Sequence, residues 1–291
     1  MAHPGPNHRP RPGATAAFAV LVTTAALSTL VTPGAGAAAT RVATVTLAPG
    51  EFALPATLVS QVEAVPVATL VAQAVKRPGS AEPPQALEGG TATFTVGGKP
   101  AVVFVGAEYC PYCASERWPM VMALSKFGTF EGLRGSMSST TDLDPQTPSF
   151  SFYRATYTSR YLSFLADELA TGTEQQLQAP TAEEQALVTK YDTTPYVPAE
   201  DAGQNPIPFV FMAGRYVLTS TQFNGRALSG MNWATAAAYL TSGANAMSKA
   251  AEASAGYLVG DICALTHGQP AAVCSQVPAR LVGITTVHPP K

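Results

Sequence analysis

Ala101-Val102-Val103-Phe104-Val105-Gly106-Ala107-Glu108-Tyr109-Cys110-Pro111-Tyr112-Cys113 is the stretch whose reading decides the fold. Its first five residues are small, β-branched or aromatic without a polar interruption, the pattern of a strand buried on both faces. Gly106 to Tyr109 lead out of that strand. Beyond the cysteines, Trp118, Val121, Met122 and Leu124 recur near helical spacing, and Met120, Ala123 and Phe127 widen the apolar face. This predicts a mostly buried helix over 114–127, kinked at or just before Pro119 and stopped by Gly128. A strand that enters a helix through C-x-x-C puts the first cysteine at the helix start. Unpaired N–H groups and the helix dipole favour a thiolate there. A free thiol pKa of about 8.5 drops into the range of about 3.5–7.5 in such places. Pro111 suits the first helical position, because its missing N–H would have had no partner anyway. Cys110 is therefore the candidate nucleophile, and Cys113, one turn along and facing inward, the candidate resolving thiol.

Working outward, residues 42–47 suit a short strand, 58–75 have helical spacing interrupted at Pro66, and 77–84 form a turn-rich linker. Residues 133–157, rich in Ser, Thr and aromatics, suit two short strands, or a strand and an extended loop. Segments 159–169 and 182–191 read as helices. Asn205-Pro206-Ile207-Pro208 then runs into Phe209-Val210-Phe211-Met212, followed by Ala213-Gly214 and a second short strand, a hairpin with a two-residue turn. A cis peptide before Pro208 would aim the Ile207 backbone at the cysteines. Such bonds are a minority, about 5–6% of X-Pro bonds. Residues 232–240 and 247–265 are further helical candidates.

Composition narrows the function classes. With 46% hydrophobic and 12% charged residues, the 291-residue chain can bury a sizeable core. A net charge of −2 and the lack of a Lys/Arg stripe exclude nucleic acid as the expected partner. His3, His8, Arg9 and Arg11 precede the uncharged stretch 14–31, and Ala35-Gly36-Ala37 and Ala37-Ala38-Ala39 follow. That order is the order of an export signal. The stretch is near the roughly 20 residues that span a bilayer, so an uncleaved anchor is the other reading. The expected location is secreted, or anchored on the outer face of the cytoplasmic membrane.

In an oxidising compartment Cys263 and Cys274 are expected to pair as a structural disulfide. A zinc site would need two more ligands beside Cys110 and Cys113, and no second C-x-x-C or suitably spaced histidine supplies them. No metal and no cofactor are expected. Tyr112 reads as exposed and able to shape docking, Trp118 as core, His267 as a surface histidine, and Glu116 with Arg117 as a solvated helix face. Glu108 is the acid nearest the motif. It is either a proton acceptor or a surface side chain.

The strand, C-P-Y-C, helix and Ile-Pro series resembles the thioredoxin superfamily. That resemblance implies an α/β thioredoxin-like fold, a central mixed sheet flanked by helices, with Cys110 attacking, Cys113 resolving and Pro208 as the facing cis-proline. The Pro-Tyr dipeptide is similar to that of glutaredoxins. The longer run from Val105 through Cys110, Cys113, Ala114, Ser115, Glu116 and Arg117 to Trp118 looks like the signature of an actinobacterial and archaeal family catalogued as domain of unknown function 929. Two departures stand out. No acid occupies Val102 to Val105, where thioredoxins carry a buried carboxylate. Pro208 also lies far downstream, which implies a partly helical insertion at about 135–204, as in periplasmic disulfide oxidases. The expected division is an export segment at 1–39, a lead-in and linker at 40–95, and a thioredoxin-like domain at 96–291. The function this implies is an exported thiol–disulfide oxidoreductase acting on exported protein thiols and disulfides, regenerated by a membrane redox partner. The competing expectation is a binding module in which Cys110 and Cys113 form a static disulfide.

Overall fold

The computed structural model describes residues 46–285 except 88 and 90–93. The expected export segment and residues 42–45 of the first expected strand lie outside the described residues, and residues 46–47 are not in a strand. Strand β1 (Phe52–Ala53) precedes helices α1 (Ala56–Glu63) and α2 (Val67–Lys76), which break at Pro66 as the spacing predicts. Strands β2 (Gln85–Ala86) and β3 (Thr95–Val96) lead to β4 (Lys99–Gly106), which runs into α3 (Pro111–Leu124). Four short strands follow, β5 (Gly128–Glu131), β6 (Arg134–Met137), β7 (Pro148–Ser151) and β8 (Thr156–Ser159). Then come β9 (Ser163–Glu168), α4 (Ala182–Tyr191), β10 (Phe209–Met212), β11 (Tyr216–Leu218), α5 (Trp233–Leu240), α6 (Ala246–Leu265) and α7 (Ala271–Cys274).

The protein is a mixed α/β structure with helices on both faces of a mixed sheet. The strand order of this six-stranded sheet is β2-β11-β10-β4-β3, and β9 also pairs with β4. Strand β9 is parallel to β4, from Ala101↔Ser163 to Gly106↔Glu168, while β10 is antiparallel to it, from Phe209↔Val105 to Met212↔Val102. Val102 and Phe104 point into the larger core, shared with α2, α3, α5 and α6. Val103 and Val105 point into a second core under α4, with Phe209, Phe211, Val188 and Tyr191. Covering both faces is what makes the strand's sequence continuously apolar. The small strands form separate pairings, β1-β6-β7 and β5-β8. Among the described residues no single helix is long and apolar enough to cross a membrane.

Segment 159–169, expected as a helix, instead contributes β9 beside the central strand. The stretch at 135–204, expected as an insertion, thus contains a strand of the main sheet as well as α4. Helix α3 ends at Leu124, and Gly128 opens β5 instead of stopping the helix. A Cβ at Gly128 would collide with the Thr158 carbonyl and the Tyr157 ring, so glycine is there to let β8 approach. Pro119 lies inside α3, which runs on through it to Leu124. Residues 133–157 yield β6, β7 and the start of β8, one strand more than expected. The β10–β11 turn is as expected in its two residues, Ala213 and Gly214, both at positive φ. Pairing resumes only at Met212↔Tyr216, which leaves Arg215 as an extra residue.

Candidate active site

Cys110 is the N-cap of α3, in an extended conformation (φ −76°, ψ 120°), with Pro111 in the first helical turn. Its sulfur does what a serine or aspartate oxygen does at an ordinary helix start. Sγ accepts a hydrogen bond from the Cys113 N–H at 3.2 Å, satisfying one of the orphan donors of the first turn. From the other side, Cys110 Sγ lies 3.7 Å from the Ile207 carbonyl oxygen, to which the thiol donates. The Ile207–Pro208 peptide is cis, and Phe209, the next residue, pairs with Val105 at the end of β4. Two chain segments separated by 97 positions therefore converge on one sulfur.

The two thiols differ in their surroundings. Both are unbridged and buried, Cys110 with a 5% exposed remnant and Cys113 with none. The Cys113 side chain and N–H, donating to Cys110, hold the Cys110 thiol below the ordinary range against the opposing effect of burial. Burial, and then the adjacent Cys110, push the Cys113 thiol well above it. An easily ionised outer sulfur and a protonated inner one are what sequential thiol exchange requires. Gly106 makes room for the inner sulfur, since a Cβ there would press on the Phe104 ring and lie 3.2 Å from Cys113 Sγ. Tyr112 between the cysteines is 42% exposed, as expected for a surface contact.

Beneath the dithiol lies a charged group that the sequence reading placed in solvent. Arg117 is fully buried, one turn along α3 from Cys113. Its Nε donates to Glu168 Oε1 at 2.8 Å and a terminal nitrogen donates to Glu168 Oε2 at 2.5 Å. The guanidinium lies over the Phe104 ring, 5.3 Å from its centroid. Glu168 Oε1 also accepts from the Phe152 N–H at 3.1 Å. Glu108, between β4 and α3, is fully buried as well, which removes its surface reading. Burial raises its pKa to about 7; the Ser151 hydroxyl and Arg117 oppose that rise, while Glu168 and Glu51 add to it. Neither carboxylate oxygen of Glu108 has a well-formed hydrogen bond.

Glu116 also leaves the solvated face assigned to it. Its side chain is completely buried, and Oε2 accepts from the Gln222 N–H at 2.8 Å and the Thr221 hydroxyl at 3.4 Å. Burial raises its pKa to about 8. Residue 117 shares a helical face with residue 113 at i, i+4, but the burial of Arg117 and of Glu116 depends on partners far along the chain, Glu168 and Gln222. Trp118 is core, as expected, donating to the Pro148 carbonyl at 3.0 Å and packing on Trp233. Cys263 and Cys274 form the expected disulfide, with Cα atoms 5.6 Å apart, and His267 is exposed as expected. Among the described residues no group of three or more His, Cys, Asp or Glu side chains is arranged to hold a metal ion.

Fold and site together define a mixed α/β protein with a buried dithiol at the start of a core helix. The chain belongs to the family described as Domain of unknown function (DUF929), which matches residues 88–258. No curated protein and no solved structure matches it significantly.

Proposed function

We propose that this protein is an exported thiol–disulfide oxidoreductase with a thioredoxin-like fold, in which Cys110 exchanges with protein disulfides and Cys113 resolves the intermediate. The observation that carries this reading is the placement of Cys110 Sγ, which caps α3 through the Cys113 N–H and faces the Ile207 carbonyl at 3.7 Å. The order of elements supports it too. A strand, the dithiol helix and a parallel strand are followed by an antiparallel hairpin and a closing helix, as in the thioredoxin-like arrangement. A disulfide between Cys263 and Cys274 suits an oxidising compartment, where the partners are exported proteins and a membrane redox protein that regenerates the centre.

In the reducing direction, the Cys110 thiolate attacks one sulfur of a substrate disulfide. A Cys110–substrate bond forms, and the other substrate sulfur leaves as a thiolate. Cys113 then gives up its proton and attacks Cys110 Sγ, forming the Cys110–Cys113 bond and expelling the second substrate thiolate. Two electrons pass from the protein sulfurs to the substrate sulfurs, and the same steps reversed oxidise a substrate dithiol. Glu108, buried beside the motif, is the group proposed to take up the Cys113 proton. No cofactor enters these steps.

Cys110→Ser is expected to abolish exchange with a model disulfide, and Cys113→Ala to accumulate a mixed disulfide at Cys110 that can be isolated under denaturing conditions. Exchange that survives in Cys110→Ser sinks the proposal. A Cys110–Cys113 potential below about −300 mV would instead identify the static disulfide of a binding module.

A further inference from the structure

Arg117 is a buried charge that the exchange steps above do not use. Its neighbours include Glu168 from β9, Phe104 from β4, Glu108 from the β4–α3 connection and Cys113 from its own helix. The Phe104 ring bridges it to the dithiol, because that ring and Cys113 Sγ crowd the same empty position above Gly106. The third guanidinium nitrogen is buried and has no hydrogen-bond partner. Glu168 is occupied by two bonds from Arg117 and one from the Phe152 N–H, whereas Arg117 shares a helical face with Cys113 at i, i+4 and keeps one nitrogen unpartnered. The direction of the field agrees, since Arg117 favours the ionised form of both Cys110 and Cys113.

Resting on the oxidoreductase reading above, we propose that Arg117 is a positioning residue for the dithiol: clamped by Glu168, it holds a fixed positive charge beneath Cys113 that stabilises the reduced, anionic state, so the centre acts as a disulfide donor. A centre whose reduced form is stabilised is the stronger oxidant. In that direction a substrate thiolate attacks Cys110 Sγ and breaks the Cys110–Cys113 bond. Cys113 departs as a thiolate into the field of Arg117 and takes a proton. A second substrate thiolate then closes the substrate disulfide and releases Cys110 as a thiolate. Two electrons move from the substrate sulfurs to the protein, and a second disulfide compound re-oxidises the dithiol.

Glutathione redox buffers supply such a compound and measure the equilibrium directly. The variant Arg117→Met/Glu168→Gln removes both charges at once, which avoids the penalty of leaving one buried ion unpaired. It is expected to form its Cys110–Cys113 disulfide about tenfold more readily than the parent, a potential lower by about 30 mV, with Cys110 thiolate absorbance moved to higher pH. Arg117→Lys keeps the charge and is expected to restore most of the shift. A double variant that melts cooperatively with the parent's equilibrium and thiolate titration overturns the proposal, and so does Arg117→Lys behaving like the uncharged variant. If the double variant does not fold, Glu168→Gln alone decides. Freed from its counter-charge, Arg117 should make the disulfide several-fold harder to form, and an unchanged equilibrium again overturns it. Should the parent protein not exchange with glutathione at all, the oxidoreductase reading fails and takes this inference with it; if the parent exchanges and the variants match it, only the role of Arg117 falls.

Discussion

A carboxyl group without solvent, and with one oxygen idle, is held as the acid. Glu116 is such a group, with a pKa raised by burial from the ordinary 4.5 to about 8. Between those values the native protein keeps a proton that the unfolded chain has released, so this group's contribution is fully present below about 4.5 and is lost as the pH rises through about 8. Glu108, raised to about 7, acts in the same sense. Glu116→Gln keeps an oxygen acceptor for the Gln222 N–H and has nothing to ionise. Urea denaturation at pH near 4.5 is expected to give the variant the parent's stability, and at pH near 9 an advantage on the order of 2 kcal/mol or more. A variant that is weaker than the parent at high pH would mean that the native carboxylate is charged and well solvated by its donors. At this scale Cys110, Cys113, Ile207 and Pro208 could be read in the sequence, because the chemistry of each is announced by its immediate neighbours. Arg117 could not be read that way, since the partner that allows its burial, Glu168, is 51 positions away. A charged residue on a helix is read as solvated until that partner is known.

Strand β4, helix α3 after the motif, α4, the β10–β11 hairpin, α5 and α6 were legible as elements, since period, caps and turn residues agree within each. Asn232 and Asn245, for example, cap α5 and α6 through their side-chain oxygens. Strand β9 was not legible. Tyr161, Leu162, Leu165, Ala166 and Leu169 fall at helical spacing, and Leu, Ala and Glu are good helix formers. Six consecutive pairings with β4 override that local preference, which is how strand propensity ordinarily yields to context. Local preference and packing also conflict at Gly256, in the middle of α6. Alanine there should gain up to about 1 kcal/mol of helix propensity. The added Cβ, however, would run into the backbone carbonyl of Leu70 on α2, which cannot rotate away, and into the Ala74 side chain. Packing should win, so Gly256→Ala is expected to lose about 2 kcal/mol, within the usual range for overpacking. Chemical denaturation measures the sign, and a stabilised variant would show that α2 shifts freely against α6.

At the scale of the whole molecule, the two pairs of cysteines occupy opposite poles of the main sheet. Cys110 and Cys113 follow the Gly106 end of β4. The other end of that strand, at Lys99 and Pro100, shares a surface cavity of about 400 Å³ with Leu265, Thr266, His267 and Gln269, the segment that Cys263 and Cys274 enclose. Eight strand residues at about 3.3 Å each set these poles roughly 23 Å apart. Direct thiol–disulfide exchange between the pairs would need sulfurs in contact, so the Cys263–Cys274 bond is expected to act as a clasp on the end of α6 and not to exchange with Cys110 and Cys113. Closing a loop with a sequence separation of 11 restricts the unfolded chain by about 3 kcal/mol in the chain-entropy account. The double variant Cys263→Ala/Cys274→Ala should therefore melt roughly 6–12 °C lower, taking about 2–4 °C per kcal/mol for a chain of this size. Below its melting temperature it should retain glutathione exchange at Cys110 within a factor of about two of the parent, as expected for a structural bond remote from the reacting sulfurs. A variant that keeps its melting temperature but loses exchange would reverse the assignment and make the second pair part of the redox path.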